Sequence, residues 1–110
     1  MNNAGQHVLF DAYFDRVIAD DKIASECKSA ITHCGLHVVA SMRKDFEPHG
    51  MTAIWLLEES HFSVHTFPEQ NYISVDCYTC GNEGNPIRAI DYLVKTLQPV
   101  RHNIQILERK

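Results

Sequence analysis

An α+β fold, a two-layer sandwich of a largely antiparallel sheet with two helices on one face, is predicted by three features of this 110-residue chain. Two segments carry apolar residues at three- to four-residue spacing, several others alternate as half-buried strands do, and the strand-like segments are joined by connections too short for the crossovers that parallel neighbours need. A strand layer whose apolar side must be covered, with two amphipathic helices to cover it, is most economically arranged as one sheet and one helical layer. With no internal repeat, low-complexity tract or Ser/Gly-rich linker, the chain reads as a single domain over 1–110.

The elements follow in order. Residues 7–14 alternate Val8, Phe10 and Phe14 with Leu9, Asp11 and Tyr13, which suits a first strand. From Asp20-Asp21 the positions Ile23, Ala24, Cys27, Ala30, Ile31 and Cys34 recur on one helical face, with acids in the first turn and Gly35 at the stop. Strands are expected at 36–42, 52–58, 61–67 and 72–79, separated by Glu47-Pro48-His49-Gly50 and by Pro68-Glu69-Gln70-Asn71. Asn85-Pro86 opens a second helix through Leu97, with Ile87, Ile90, Leu93, Val94 and Leu97 on one face; Pro99 closes it before a last strand at 100–107. A sheet covered on one side only keeps its other face free for a partner, and a chain this short gains from burying more surface in an oligomer.

A formal charge of −4 without a run of Lys or Arg leaves no electrostatic footprint for nucleic acid and mildly favours a cationic small molecule. The start, Met1-Asn2-Asn3-Ala4-Gly5-Gln6-His7, lacks a basic segment and an apolar signal core, and no apolar run approaches the ~20 residues of a membrane span. No membrane association and a cytoplasmic location are therefore expected, and with them reduced thiols at Cys27, Cys34, Cys77 and Cys80. Cys27 and Cys34, seven apart on one helix face, suit the core. Asp20-Asp21, Arg43-Lys44 and the tail Glu108-Arg109-Lys110 suit helix-start or solvated charge, and His33, His37, His49 and His102 form no pattern.

Chemistry-bearing residues concentrate in Glu58-Glu59-Ser60-His61-Phe62-Ser63-Val64-His65-Thr66-Phe67-Pro68-Glu69 and Asp76-Cys77-Tyr78-Thr79-Cys80-Gly81. Taken singly, Ser60 suits a strand-end hydroxyl, His65 a satisfied sheet histidine, Cys80 a small buried hydrophobe, Phe46 and Phe67 packing residues, and Glu69 a solvated turn. As a set, His61, His65, Cys77 and Cys80 have the ligand types and number of a structural zinc site, so a small zinc-binding module is one expectation. Its weakness is geometric, because residues four apart on a strand are about 13 Å apart. A Cys80–His65 hydrolase is another, with no evident oxyanion loop and no task for Glu59-Ser60.

The same residues resemble the short prokaryotic S-adenosylmethionine decarboxylases, which cut their own backbone at a Glu-Ser bond and convert the serine into a pyruvoyl cofactor. The likeness covers most of the chain and is densest from Phe46 to Gly81, where Ser60, His65 and Cys80 match the family's processing serine, processing histidine and catalytic cysteine. It implies cleavage into 1–59 and 60–110, the second piece headed by a pyruvoyl group derived from Ser60. The Ser60 hydroxyl would attack the Glu59 carbonyl and turn amide into ester, which needs a strained backbone and a stabilised oxyanion. Thr52 and His65, expected on adjacent strands, are the hydroxyl and imidazole available for processing, and His65 would remove the Ser60 Cα proton so that the ester leaves as a carboxylate. The resulting ketone forms a Schiff base with a substrate amine and takes up the electrons released with carbon dioxide. Cys80 would protonate the α carbon: a thiol, ordinarily of pKa about 8.5, still carries its proton at neutral pH. By motif position Phe46 resembles the aromatic that stacks on adenine, Glu69 the acid that holds the ribose hydroxyls, and Phe67 a pocket wall; Thr52 and Phe67 stand where the family usually has Ser and Trp. The resemblance further implies a homodimer in which one chain's serine and cysteine face the other's histidine, S-adenosylmethionine as substrate, and polyamine synthesis as the role. Pyruvoyl-dependent decarboxylation of arginine or ornithine is the alternative within the family.

Overall fold

The computed structural model describes residues 5–80 and 85–109. Gly81, which closes the motif, the Met1–Ala4 start and Lys110 lie outside the described residues. The strands are β1 (Gly5–Tyr13), β2 (Val38–Asp45), β3 (Met51–Leu57), β4 (His61–Phe67), β5 (Tyr72–Thr79) and β6 (Arg101–Arg109). The helices are α1 (Asp20–His33) and α2 (Pro86–Leu97). They form one sheet of order β2-β3-β4-β5-β1-β6, every neighbouring pair antiparallel. The expected α+β sandwich is thus observed.

Alternation divides the sheet sharply. Val8, Phe10 and Ala12 of β1, Ala53, Trp55 and Leu57 of β3, Phe62 and Val64 of β4, and Ile73, Val75 and Cys77 of β5 are buried. Against them pack Ile23, Cys27, Ala30 and Ile31 from α1 and Ala89, Ile90, Leu93 and Leu97 from α2. The other face carries His7, Asp11 and Tyr13, then Thr52, Ile54 and Leu56, then His61, Ser63, His65 and Phe67, then Tyr72, Ser74, Asp76 and Tyr78, with no helix over it among the described residues.

The helix ends follow local chemistry. After α1, Gly35 N–H donates to the Thr32 carbonyl and Leu36 N–H to the Ile31 carbonyl, with Gly35 at φ 84° and Leu36 buried. This is the Schellman stop, which needs a residue free to take positive φ. It uses Leu36 as part of the cap, so β2 begins at Val38, two residues later than the periodicity suggested, and runs to Asp45. Asn85 caps α2 by accepting the Ile87 N–H at 3.0 Å, with Pro86 in the first turn. At its far end the Arg16 guanidinium donates to the Leu97 and Gln98 carbonyls, complementing the helix C-terminus.

Two charged groups expected to be ordinary surface turn out to be structural. Asp20 accepts the Gly50 N–H at 3.2 Å and the Thr66 hydroxyl at 2.8 Å, while that same Thr66 oxygen accepts the Met51 N–H at 2.8 Å. The start of α1 is thereby latched to β3 and β4. Arg43 bridges Asp21 at 2.9 Å and Asp45 at 2.7 Å, and the hydrogen bond it donates to Asp45 holds its pKa above even the usual guanidinium range.

Candidate active site

The motif residues separate into two groups at opposite ends of the sheet. At the first end, β3 and β4 are joined by a tight turn with Glu58 and Glu59 exposed at its tip, closed by the Leu57 N–H donating to the Ser60 carbonyl at 2.9 Å. Ser60, just before β4, is 6% exposed. The β4–β5 ladder pairs His61 with Tyr78, which brings the end of β5 alongside this turn. The Cys80 thiol then donates to the Glu59 carbonyl oxygen, with Sγ 3.2 Å away. A proton donor thus rests on the carbonyl of the Glu59–Ser60 peptide, while the half-buried Cys80 keeps access to solvent.

At the second end, Thr52 and His65 are direct register partners across β3 and β4, and Thr52 Oγ1 lies 2.9 Å from His65 Nδ1. The expected adjacency of this hydroxyl and imidazole is realised. Phe67 stacks on Tyr72 with centroids 5.3 Å apart, and Tyr72 on Tyr13 at 4.9 Å. Burial and the hydrogen bond it donates to Asp11 raise the Tyr72 hydroxyl above its usual range. Beyond them the 46–50 and 68–70 turns lie together: His49 Nε2 is 3.0 Å from Glu69 Oε2, and Phe46 is 48% exposed beside them in sequence. Phe46, Glu69, Phe67, Thr52 and His65 therefore share one end.

The two groups are not brought together within one chain. Ser60 and His65 are five residues apart along extended chain, about 17 Å. Hydrogen-bond reach is about 3 Å.

The zinc module expected from His61, His65, Cys77 and Cys80 is not formed. Cys77 is fully buried on the helix side, His65 projects from the opposite face, and Cys80 is engaged with the Glu59 carbonyl. His61 instead approaches Asp76, with Nε2 3.6 Å from Oδ1, and Asp76 is hydrogen-bonded to His7. Asp76 stood in the motif without an assigned role and His7 was given none, because they lie 69 residues apart and only the β1–β5 pairing joins them. The aromatic row through Tyr13 and Tyr72 went unseen for the same reason.

Comparison with known proteins identifies the family. The family model for S-adenosylmethionine decarboxylase matches residues 6–110. The chain is similar to S-adenosylmethionine decarboxylase proenzyme 2 of Bacillus cereus, 42% identical over 96% of this chain and 88% of the relative. It is also similar to the S-adenosylmethionine decarboxylase proenzyme of Sulfurihydrogenibium sp., 38% identical over 96% of this chain and 81% of that one. The crystal structure of the adenosylmethionine decarboxylase from Aquifex aeolicus superposes with a TM-score of 0.86 at 35% identity, covering 99% of this chain and 92% of that one.

Proposed function

The chain belongs to the S-adenosylmethionine decarboxylase family, and from that premise we propose that it is made as a proenzyme, cut between Glu59 and Ser60, and works as a homodimer releasing carbon dioxide from S-adenosylmethionine. The observation that carries this is the Cys80 thiol 3.2 Å from the Glu59 carbonyl oxygen. That oxygen becomes the oxyanion when the Ser60 hydroxyl attacks the adjoining carbon, so the S–H is aimed where charge develops. The same Cys80, left beside the new end of β4, is then in place to protonate the substrate α carbon. A pyruvoyl group derived from Ser60 supplies the ketone that takes the substrate amine and accepts the electrons released with carbon dioxide.

Thr52 and His65 complete the chemistry from a second copy, since in their own chain they lie about 17 Å from Ser60. The open sheet face supports such a pairing: Met42, Ile54, Leu56 and Phe67 are 74%, 43%, 52% and 37% exposed, an apolar surface that no helix among the described residues covers. A two-fold axis stacking this face on its counterpart sets the Ser60 end of one chain against the His65 end of the other, giving two equal sites. Phe46, Phe67 and Glu69 then arrive with His65, two aromatics to stack on a purine and one acid to accept from ribose hydroxyls. Their grouping, with the names of the relatives, favours S-adenosylmethionine over arginine or ornithine and suits production of the aminopropyl donor for polyamine synthesis. Among the described residues no helix is long and apolar enough to cross a membrane.

Intact mass under denaturing conditions, with and without a carbonyl-reactive hydrazide, tests the processing. Fragments 1–59 and 60–110 are expected, only the second reacting; one intact unreactive chain, or cleavage that survives Ser60→Ala, would overturn it. Carbon dioxide release from S-adenosylmethionine, arginine and ornithine tests the substrate, and a preference for either amino acid would overturn the nucleoside assignment.

A further inference from the structure

On the open face, three ligand-type side chains from three adjacent strands converge. His7 of β1 and His61 of β4 flank Tyr78 of β5 in register, one on either side, and Asp76 stands two residues away on the same face of β5. Nε2 of His7 is hydrogen-bonded to Asp76 Oδ1, and Nε2 of His61 lies 3.6 Å from the same oxygen. The three ligand atoms lie within 4.8 Å of one another, the one group of three or more histidine, cysteine or acidic side chains to converge so among the described residues. The ladder holds their backbones, the His61 ring stacks against Tyr78, and the side chains stay 18%, 38% and 37% exposed for His7, His61 and Asp76.

We propose that His7, His61 and Asp76 bind one divalent transition-metal ion of the zinc class, through two imidazole nitrogens and one carboxylate oxygen, with water in a fourth position. The donor set decides the class: two imidazoles and a carboxylate suit zinc, cobalt or nickel, whereas magnesium and calcium take oxygen ligands. Metal–ligand bonds of about 2.0–2.2 Å in a tetrahedron place the ligand atoms roughly 3.3 Å apart. The 3.6 Å between His61 and Asp76 already approaches that spacing; the direct His7–Asp76 hydrogen bond has to open, and the His7 and His61 nitrogens, within 4.8 Å of each other, have to settle at the same spacing.

The surroundings supply a distinctive signature. Arg109 Nη1 lies 3.4 Å from His7 Nδ1. A guanidinium can only donate, so Nδ1 accepts and Nε2 carries the proton given to Asp76. A metal ion on Nε2 transfers that proton to Nδ1, where it confronts the guanidinium; Arg109, exposed near the end of β6, swings away. Arg109 therefore competes with the ion. The three ligands come from one chain, and none has a role in cleavage or decarboxylation, although they share the open face that the proposed dimer stacks on its counterpart.

The test is cobalt(II) titration of the full chain, read by visible ligand-field absorption, with zinc affinity measured against a chromophoric chelator. One ion per chain is expected, without a sulfur-to-metal charge-transfer band. His7→Gln and Asp76→Asn should each weaken binding by more than about 10-fold, the least expected even for a supporting partner of a metal-bound histidine. Arg109→Gln should tighten it, by up to about 5-fold, the scale of one exposed charge contact. Because that variant gains affinity, misfolding cannot imitate the result. Absence of binding, affinity unchanged in His7→Gln, a thiolate band pointing to Cys80, or weakened binding in Arg109→Gln would each overturn the proposal.

Discussion

If each site draws Ser60 from one chain and His65 from another, two inactive variants should rescue one another. Ser60→Ala removes the nucleophile. His65→Ala removes the imidazole paired with Thr52 at 2.9 Å and should slow cleavage by about 10²- to 10⁴-fold, the usual contribution of a positioned acid or base. In a mixed dimer one site combines both lesions, while the other joins the intact Ser60 of the His65→Ala chain to the intact His65 of its partner. Chains expressed in equal amounts and assorted at random by an isologous interface give about half mixed dimers. About half of the His65→Ala chains should then be cut, and the Ser60→Ala chains not at all. The expectation rests on length: five residues of strand span about 17 Å, several times the reach of any hydrogen bond. The assay is coexpression with the Ser60→Ala chain marked by a mass tag, native mass to count mixed dimers and denaturing mass to count 60–110 fragments. Mixed dimers no more cleaved than His65→Ala alone would refute the shared site.

Further expectations concern single residues. Cys80→Ala should slow self-cleavage and, per cut chain, lower kcat by about 10²- to 10⁴-fold with little change in KM, because the lost donor also acts after substrate is bound; steady-state carbon dioxide release normalised to the 60–110 fragment checks this, and a purely KM effect would contradict it. Thr66→Val should cost about 2–3 kcal/mol in urea unfolding, since it strands the buried Met51 N–H and removes a donor from Asp20; a loss below about 0.5 kcal/mol would show the latch to be incidental. Burial, reinforced by nearby Glu26, pushes the Cys27 thiol far above its ordinary range. The unfolded chain ionises above about pH 8.5 while the folded thiol keeps its proton, so stability contributed by the neutral thiol is full below that pH and falls as pH rises, by up to about 1.4 kcal/mol per unit. Cys27→Ala should flatten that decline in unfolding measured from pH 8 to 10.

The amphipathic spacing of Ile23, Cys27, Ala30 and Ile31, the Asn85-Pro86 start of α2 and the alternation of 61–67 and 72–79 were legible in the sequence, because each depends on contacts between residues a turn or a pleat apart. The start of β2 was misplaced because Leu36 looks like a strand residue and serves instead as the buried residue of a helix cap. The residues proposed to react were also chosen from the sequence, since Ser60, His65 and Cys80 stand at the intervals on which the family resemblance rests.

What the motif could not convey is who faces whom. A strand holds Ser60 and His65 about 17 Å apart, and only folding shows that their nearness in sequence is separation in space. Conversely, Cys80 reaches the Glu59 carbonyl, Asp20 fastens Thr66 and Gly50, and His7 meets Asp76 through pairings of strands and helices distant in the chain. The sequence by itself determined the elements, the sheet's two unlike faces and the chemistry available. The tertiary structure alone decided which groups meet, because long-range register is set by the joint packing of the whole sheet against both helices and is not encoded in any one segment.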